Sequence, residues 1–565
     1  MAHSDVEIRV HLSHNTTVGK VARPTPARMI HVSPVQAARN TKERMMMKTH
    51  ICKFAVFALV FLLAGCGTNP VTHKREFQLV SESQEISIGQ ENYAPARQQQ
   101  GGDYIVDPEL TTYVQGVGNK LAAVSDRQLP YEFVVLNDSV PNAWSLPGGK
   151  IAINRGLLYE LDSEAELAAV LGHEIVHAAA RHGAQKMETG LLLQGAVIAA
   201  GVAARDKSYA NLVVGGAQLS SQLISTKFSR DEESEADLYG MRYMKKAGYD
   251  PTAAVTLQET FVRLSKDRNS SFIDGLFASH PPSEARVAAN KATLAELGAG
   301  GVWGKQVYAQ KVGKLKADEA AYKAYDEGVK ALARGDVKQA GALAKQAVAA
   351  EPREARFPEL QGDIAMKQNR GEEAVAYYRQ AIKLQPDYFR PQAQMGAALA
   401  SLGRSAEAEP YLKRSNELLP TATSYYLLGQ LAEARGDVDG ALANYQTAAA
   451  SDSDAGRSSL ARYQRLDLPR NPARYLQAAA QADDAGNVYA VVYNPTTQAV
   501  ANVRVRVVHL DAATGQPDAQ SDPLPVASRL EPKQRGQVRI AGLRVATAAD
   551  LRLYRVIVER AELAK

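Results

Sequence analysis

The sequence predicts a multidomain chain with a mainly α-helical domain that contains a small sheet, then an α-solenoid, then a small C-terminal β-sandwich. Three observations predict this order: capped helical patterns around short strands before residue 310, a 34-residue period from about residue 320, and period-2 alternation near the end. The chain has 565 residues, which is too long for one hydrophobic core. At about 150 residues per domain, three or four domains are expected.

Composition and charge exclude several classes of protein. Hydrophobic residues make up 45% of the chain and charged residues 22%, which is typical of globular protein. Residues 1–65 carry nine Lys and Arg against three Asp and Glu, so the remainder carries 57 against 58 and offers no basic field for nucleic acid. Only Cys52 and Cys66 are cysteines, which excludes a disulfide framework and leaves His, Asp and Glu as metal ligands.

An apolar run near the N-terminus predicts export. Phe54 to Ala64 spans eleven residues, the length of a signal-peptide core and too short to cross a bilayer. The run leads into Leu63-Ala64-Gly65-Cys66, which resembles the bacterial lipoprotein box. Residues 47–65 are therefore expected to be a lipoprotein signal peptide, with Cys66 as the lipidated first residue of the mature chain. The alternative is an ordinary secretory signal whose end contains a cysteine.

The residues on either side of this box refine the expectation. Gly67 stands where inner-membrane lipoproteins have Asp, so the resemblance implies an anchor at the periplasmic face of the outer membrane. Residues 1–46 show no apolar periodicity, and Met47 lies where a signal peptide normally begins. We interpret residues 1–46 as a mis-assigned start or disordered extension, with an unusually long charged region of the signal as the alternative.

The first folded domain is predicted over residues 66–310, and most of this range has helical patterns. Two segments have the pattern of strands instead, Tyr131–Leu136 and Lys150–Asn154. The sequence Pro147-Gly148-Gly149 between them predicts a turn, because proline and glycine fit the backbone angles that turns need. A small sheet is therefore expected among the helices of this domain.

Two long helices follow these strands. Ser163 and Glu166 form a capping-box pattern that predicts the start of a helix running to about Met187. A second helix is predicted from about Ser229 to Ala247, because a glycine and then a proline follow it. Residues 190–204 are apolar but interrupted by glutamine and glycines, and fifteen residues rarely span a membrane. A buried or mobile helix beside a functional site is the favoured interpretation.

The period that begins near residue 320 appears in three sets of positions. Glycines, alanines and prolines each recur 34 residues apart: Gly328, Gly362 and Gly396; Ala340, Ala374 and Ala408; Pro352, Pro386 and Pro420. This is the period of tetratricopeptide repeats, in which small residues lie where paired helices pack. Residues 318–468 are therefore predicted to form about four repeats in a short solenoid with a concave face. Helical hairpins that match by chance are the alternative.

The character of the sequence changes again over residues 482–563. Val503 to Val507 alternates apolar and charged residues with period 2, and Leu551–Val558 is another strand candidate. Gly515-Gln516-Pro517 marks a turn. We expect a small antiparallel β-sandwich in which no set of catalytic residues is visible.

The motif that carries chemistry is His173-Glu174-Ile175-Val176-His177, within the first long helix. The i,i+4 spacing places both imidazoles on one helical face, where they can share one cation. Glu174 is offset by one residue, so its carboxylate lies near the metal and can take a proton from water without being a ligand. A catalytic zinc site normally has three protein ligands, so one more ligand is expected.

The acidic segment of the second helix, residues 229–237, offers several candidates for this ligand. A run of charge is usually a solvated helix face, so charge alone leaves the third ligand open. Glu233 and Asp237 share one face because they are i,i+4, whereas Glu232 and Glu235 are expected to point elsewhere.

At this point the chain resembles the zinc endopeptidases related to the type 1 CaaX prenyl protease. The resemblance rests on HEIVH, on Glu-x-x-Ala-Asp from Glu233 to Asp237, and on residues 142–149 (NAWSLPGG), which are similar to that family's strand-turn signature. Asn69-Pro70-Val71-Thr72 also resembles bacterial lipoprotein members, and the likeness covers about residues 69–300. It implies a zincin-type protease fold, one Zn²⁺ per chain and hydrolysis of peptide bonds.

The same resemblance implies roles for individual residues. Glu233 matches the third zinc ligand, and Asp237 matches the carboxylate that orients a ligating histidine, here His173. His280, followed by proline, matches an element of the repeat-carrying periplasmic members, in which the histidine can take the open zinc position and hold the enzyme latent. His280 is therefore expected to be a fourth ligand or to stabilise the oxyanion, with a surface-loop histidine as the alternative. His182 is interpreted as structural.

These expectations define two functions. The first is a zinc-dependent endopeptidase that acts on unfolded or misassembled envelope polypeptides in outer-membrane quality control, with the repeats docking substrate or the outer-membrane assembly machinery. The second is a latent-protease repeat scaffold or chaperone that aids outer-membrane assembly. A cell-wall hydrolase is disfavoured because no glycan-binding pattern stands out. The β-sandwich is additional to the pattern of the family, so its role is left open.

Overall fold

The computed structural model describes residues 66–190, 224, 227–266, 275–547 and 549–564. The expectations for residues 1–65 and for residues 191–204 fall outside these ranges. Within the described residues, every helix is too short or too polar to cross a bilayer.

The first domain contains two small sheets surrounded by helices. Its strands are β1 (Cys66–Thr68), β2 (Arg75–Phe77), β3 (Glu132–Leu136), β4 (Ala143–Leu146) and β5 (Lys150–Asn154). Its described helices are α1 (Glu82–Gln99), α2 (Pro108–Ala122), α3 (Arg155–Glu160), α4 (Glu164–Ala179), α5 (Arg230–Lys246), α6 (Thr252–Ser265), α7 (Leu276–Ser279), α8 (Glu284–Leu297), α9 (Lys305–Lys311) and α10 (Gly313–Ala317). Both strand predictions and the mainly helical character of this domain are confirmed.

The larger sheet has the order β3-β5-β4, with β3 parallel and β4 antiparallel to the central strand β5. All five residues of β5 are buried, as a central strand covered on both faces requires. Gly148 and Gly149 have φ angles of 77° and 83°, a left-handed conformation that residues with a Cβ atom avoid, and they form the predicted turn. Because the strand order is β3-β5-β4, strand β4 lies at the edge of the sheet, and its outer side has no strand partner among the described residues.

Helix α4 ends at Ala179, so the expectation of a helix running to Met187 was wrong. Arg181 has a φ angle of 64°, and the helix resumes only at residues 182–190. The Arg181 side chain is buried and forms ion pairs with Glu85 and Glu188. Glu188 is close in sequence, but Glu85 lies in α1, so a tertiary contact overrides the local preference for helix.

Helices α4 and α5 cross at a pair of glycines. A Cβ atom on Gly240 of α5 would lie 3.1 Å from the backbone nitrogen of His173 and 3.2 Å from the carbonyl carbon of Gly172. This is closer than ordinary side-chain contact allows, so the two helix backbones approach each other because glycine is present. The close approach brings the acidic first half of α5 beside the histidines of α4.

Nine helices follow the first domain, in the part of the chain from residue 319 to residue 467. Eight form antiparallel pairs: α11 (Glu319–Ala333) with α12 (Val337–Ala350), α13 (Arg356–Lys367) with α14 (Gly371–Leu384), α15 (Phe389–Ser401) with α16 (Ser405–Leu418), and α17 (Ala422–Ala434) with α18 (Val438–Ala448). Helix α19 (Asp454–Asp467) packs on the last pair. The prediction of four repeats is confirmed.

The periodic glycines lie where the two helices of a pair touch. A Cβ atom on Gly362 would lie 2.4 Å from a ring carbon of Tyr378, and one on Gly396 would lie 2.5 Å from Leu412. Gly429 has the same relation to Tyr445. Because each glycine admits a large side chain from the second helix, the period in sequence follows from the packing.

The repeats are fastened to the first domain by a buried polar cluster around Glu354. The Glu354 carboxylate is 1% exposed and accepts hydrogen bonds from Asn137 just after β3 and from Tyr322 of α11. Arg155 donates to the Asn137 amide oxygen and lies over the Tyr322 ring at 3.5 Å. Each charged group in this cluster has a polar partner, as burial requires.

The C-terminal region is a β-sandwich, as predicted. One sheet has the order β10-β8-β12 with β9 paired to β8, and the other has the order β11-β7-β6. The strands are β6 (Gln477–Ala482), β7 (Asn487–Tyr493), β8 (Val500–Leu510), β9 (Pro517–Gln520), β10 (Leu524–Leu530), β11 (Arg535–Arg544) and β12 (Tyr554–Leu563). Val492 of β7 and Val505 of β8 share one apolar core, which joins the two sheets.

Candidate metal centre and active site

Four side chains from three segments converge in the first domain. Helix α4 contributes His173 and His177, whose Nε2 atoms lie 3.0 Å apart. Helix α5 contributes Glu233, whose two carboxylate oxygens each lie 3.5 Å from one of these nitrogens. His280, which follows α7, places Nδ1 at 2.9 Å from Glu233 Oε1 and at 3.3 Å from His173 Nε2. All four donor groups lie within 4.8 Å of one another.

The spacing of these atoms fits a tetrahedral metal. With bonds of about 2.0–2.1 Å, neighbouring ligand atoms around zinc lie about 3.3 Å apart. Donor distances of 2.9, 3.0, 3.3 and 3.5 Å scatter around this value, whereas the whole set of four extends to 4.8 Å, so the side chains would draw closer together around a bound ion. Three imidazoles and one carboxylate, without cysteine, form a donor set that divalent zinc accepts.

The pKa shifts of His177 and Glu233 suit a metal site, whereas for His280 burial would lower the pKa but the charges of Glu233 and Glu174 outweigh burial and raise it. Burial lowers the pKa of His177 well below its usual value, so its ring is neutral as a ligand must be. For Glu233 burial alone would raise the pKa, but the charges of His280 and His173 outweigh burial and hold the pKa well below its usual value. Glu233 is therefore an ionised carboxylate although it is only 2% exposed.

Asp237 and Arg286 support this cluster from behind. Asp237 Oδ1 lies 3.0 Å from Nδ1 of His173, the ring nitrogen that faces away from the other donors. Arg286 of α8 donates from Nε and Nη2 to the two Asp237 oxygens, each at 2.7 Å, and its Nη1 lies 2.7 Å from Glu233 Oε2. When His173 donates its Nδ1 hydrogen to Asp237, its Nε2 keeps a lone pair directed into the cluster.

Glu174 lies beside the donors without being one of them. Its side chain is 1% exposed, and Oε2 accepts a hydrogen bond of 3.0 Å from the Ser145 hydroxyl of β4. Its other oxygen lies 3.6 Å from Nε2 of His280. A carboxylate in this position can exchange protons with groups that enter between the edge strand and the metal ligands.

Sequence reasoning missed two contacts of the His177 ring. His182, interpreted as structural, lies with Nδ1 at 2.9 Å from Nδ1 of His177. The ring of Phe228 stacks on His177 with 3.9 Å between ring centroids and also lies 5.5 Å from the ring of His280. His182 follows the motif within one turn, a signal that could have marked it, whereas the contact with Phe228 depends on tertiary structure.

The acidic neighbours of Glu233 lie outside the cluster. Glu232 caps α5 by accepting from the backbone nitrogen of Ser229 and forms an ion pair with Lys186. Glu235 forms an ion pair with Lys74 at 2.7 Å. Among the acids of this segment, Glu233 lies with the four converging side chains, Asp237 contacts His173, and Glu235 lies 3.6 Å from Nε2 of His182, which contacts His177.

Comparisons with known proteins agree with this geometry. The family model described as peptidase family M48 matches residues 108–294, and the tetratricopeptide repeat model matches residues 325–389 and 394–456. The mitochondrial metalloendopeptidase OMA1 of Schizosaccharomyces pombe is 35% identical over 225 residues, which cover 39% of this chain and 63% of that protein. The beta-barrel assembly-enhancing protease of Escherichia coli (strain K12) is 27% identical over 379 residues, covering 58% of this chain and 74% of that protein.

A solved structure, MamA 41-end from Desulfovibrio magneticus RS-1, matches with a TM-score of 0.25 and 19% identity over 27% of this chain and 88% of that chain. Residues 108–294 form a domain that matches peptidase family M48, and this match supports a metalloprotease. Tetratricopeptide repeats follow this domain, and the chain is homologous to the two metalloproteases above, although it spans only 63% of the length of the S. pombe protein. The family implies a divalent metal, and the four converging donors fit one.

Proposed function

We propose that this protein is a zinc-dependent endopeptidase. His173, His177 and Glu233 would hold one Zn²⁺ per chain, and His280 would be a fourth donor when the enzyme is at rest. The observation that carries this proposal is the convergence of these donors within 4.8 Å, with the Glu174 carboxylate beside them. Bound zinc would acidify water and polarise a peptide carbonyl, which is the chemistry that peptide hydrolysis needs.

The chain's own residues have separate tasks in this proposal. Glu174 accepts the proton of the attacking water and then delivers it to the leaving amine nitrogen. Ser145 donates a hydrogen bond to Glu174 Oε2, which fixes the direction of the carboxylate. Asp237 holds His173 in the tautomer whose Nε2 lone pair faces the metal position. Phe228, stacked on His177, keeps water away from that side of the ring.

The position of β4 supports an extended polypeptide as substrate. Strand β4 lies at the edge of its sheet and carries Ser145, the partner of Glu174. An extended segment that pairs with this edge would place its backbone beside the metal ligands. Only chains that are locally unfolded can add a strand in this way, so unfolded or misassembled proteins are the proposed substrates.

The test of this proposal is the Glu174→Gln variant of the full-length chain. We expect it to bind one zinc per chain like the wild type while cleavage of an unfolded protein falls by about 10²–10⁴-fold. Glu166→Gln, on the same helix, is the matched control and should cleave normally. Full cleavage by Glu174→Gln, or a folded wild-type chain that binds no zinc, would refute the endopeptidase.

For the cellular setting, we propose quality control of outer-membrane proteins from the periplasmic face of the outer membrane. The support is the predicted lipid anchor at Cys66 and the homology to the beta-barrel assembly-enhancing protease of E. coli. The proposed organisation is a signal peptide at residues 47–65, a protease domain at 66–310, repeats at 318–468 and a β-sandwich at 482–563. The repeats would bind substrates or the outer-membrane assembly machinery.

A complementation experiment separates this role from the alternative of a latent-protease scaffold. In a strain that lacks the protein and has an envelope defect, the wild-type chain should restore growth and Glu174→Gln should not. Equal rescue by both would favour the scaffold, because the repeats would then act without cleavage. A Cys66→Ser variant tests the anchor, since it should leave the outer-membrane fraction.

A further inference from the structure

A cavity of about 50 Å³ lies directly beside the metal ligands. One side is formed by His173, Glu174 and His280. Asp237, Arg286 and Asn290 also line the cavity, and the apolar part of its wall comes from Met241 and Met244 of α5 and from Leu257 and Phe261 of α6. The cavity therefore lies next to the groups that would hold the reacting peptide bond, between the two helices that supply the ligands and the helix that follows them.

Among the polar residues of the wall, Gln258 has an unused donor. Gln258 of α6 is 5% exposed and lines the cavity, and its Nε2 has no hydrogen-bond partner among the residues that the structure describes. Buried N–H groups almost always have an acceptor, so a lone donor in a cavity wall indicates an incoming acceptor. The neighbouring walls, Leu257 and Phe261, offer only apolar contact.

The size of the cavity limits what can enter. An apolar cavity of about 150 Å³ holds one benzene ring. At about 50 Å³, this cavity has room for about three or four non-hydrogen atoms and no room for an aromatic ring. Met241 and Met244 are the longest flexible apolar side chains in the wall, so shortening either would enlarge the cavity.

We propose that this cavity receives one side chain of the polypeptide substrate and selects a short branched residue, valine or threonine, at one fixed position beside the cleaved bond. The apolar walls would contact the branched carbon atoms, and the Gln258 amide would donate a hydrogen bond to the threonine hydroxyl. This inference rests on the proposed endopeptidase and adds its side-chain specificity. Gln258 is the specificity-determining residue, and Met241 sets the upper limit of size.

The first experiment maps cleavage. Zinc-loaded full-length protein is incubated with a peptide library, and the products are sequenced by mass spectrometry. At one position relative to the cleaved bond, valine and threonine should be at least about tenfold more frequent than phenylalanine and leucine. This is the usual effect of one methylene too few or too many in a pocket. The absence of any such position would overturn the proposal.

Two variants separate the contributions of size and polarity. Gln258→Leu replaces the amide by a nearly isosteric apolar group. It should reduce the cleavage rate of threonine peptides about tenfold, while the cleavage rate of valine peptides changes less than twofold. Met241→Ala should enlarge the cavity, so that peptides with leucine or phenylalanine at this position are also cleaved. Met395→Ala, which removes a buried methionine of the repeats, is the control and should keep the wild-type profile. Equal effects of Gln258→Leu on threonine and valine peptides would also overturn the proposal.

A binding experiment distinguishes failure of the cavity from failure of the endopeptidase. Valine, threonine and phenylalanine peptides are titrated into the Glu174→Gln chain by calorimetry. If valine and threonine peptides bind more tightly than phenylalanine peptides, the proposed cavity specificity is supported even if the wild type cleaves nothing. In that case only the proposed endopeptidase activity is refuted. Cleavage without this order of binding overturns the cavity and leaves the endopeptidase intact.

Discussion

Arg286 donates two hydrogen bonds of 2.7 Å to Asp237, one to each carboxylate oxygen. Asp237 in turn lies 3.0 Å from Nδ1 of His173, and a third nitrogen of Arg286 lies 2.7 Å from Glu233. One guanidinium on α8 thus positions groups on both helices that carry the proposed metal ligands. Because its planar fork matches a carboxylate, the pairing fixes direction as well as charge.

The first prediction concerns this support. Arg286→Met should lower the affinity for zinc by about 10–100-fold, since Asp237 and Glu233 would lose the group that orients them. The affinity is measured by competition with a chromophoric chelator. Lys291→Met, an exposed residue of the same helix, is the control. An unchanged zinc affinity in Arg286→Met would show that the guanidinium serves the fold alone.

The second prediction concerns His280. Its Nδ1 lies among the donors, where it would exclude substrate from the metal. His280→Ala should retain zinc and cleave an unfolded protein roughly tenfold faster if the closed state is about 90% populated. His509→Ala in the β-sandwich is the control. Slower cleavage with normal zinc content would instead assign His280 to stabilising the oxyanion.

The third prediction compares two glycines of the repeats. Gly362→Ala should cost about 1–3 kcal/mol of unfolding free energy, because the new Cβ atom would meet the Tyr378 ring at 2.4 Å. Gly341→Ala lies within α12 and meets no atom within 4 Å, so it should stabilise the repeats by up to about 1 kcal/mol. Thermal unfolding of both variants checks the signs. Equal shifts would contradict the close packing at Gly362.

The fourth prediction concerns pH. Burial would raise the pKa of Glu351, but hydrogen bonds from Arg353 and Lys314 outweigh burial and lower the pKa to about 2. A carboxyl whose pKa is lower in the folded state adds stability above its unfolded pKa of about 4.3, and this stability is lost as pH falls through the folded pKa. Glu351→Gln should therefore destabilise the chain at pH 7 and differ progressively less from the wild type towards pH 2.

Urea unfolding of the wild type and Glu351→Gln at several pH values checks this trend. Glu417→Gln, which changes an exposed ion pair of the repeats, is the control and should have little effect at any pH. A destabilisation by Glu351→Gln that stays constant from pH 7 to pH 2 would contradict the lowered pKa.

The parts of the fold that follow from local pattern were predictable. Strand β5 has the predicted bounds, Lys150–Asn154, and the repeats have the predicted period because the same helix contact recurs in each pair. The break at Arg181 was not predictable, since the ion pair with Glu85 joins residues far apart in sequence and the ion pair with Glu188 forms only once the helix is broken at Arg181. Local sequence favours helix there, and only the folded domain supplies these partners.

Part of the candidate site could also be predicted from local sequence, and the rest depends on tertiary contacts. The spacing of His173 and His177 is enough to pair their imidazoles, because helix geometry is local. The selection of Glu233 from several acids needed the family resemblance, since residues 229–237 alone allow more than one choice. The contacts of Ser145 with Glu174 and of Phe228 with His177 join separate elements, and periodicity carries no information about such pairs.

The side chain of Asn69 donates a hydrogen bond to the carbonyl oxygen of Ala180, at the end of the helix that carries His173 and His177. Asn69 is three residues from the predicted lipidation site, and three residues of extended chain reach about 10–11 Å. An acyl group on Cys66 would thus tether the first domain close to the membrane surface. With such a tether, only polypeptides within a thin layer beside the lipid could reach the proposed active site, and proteins farther from the membrane could not.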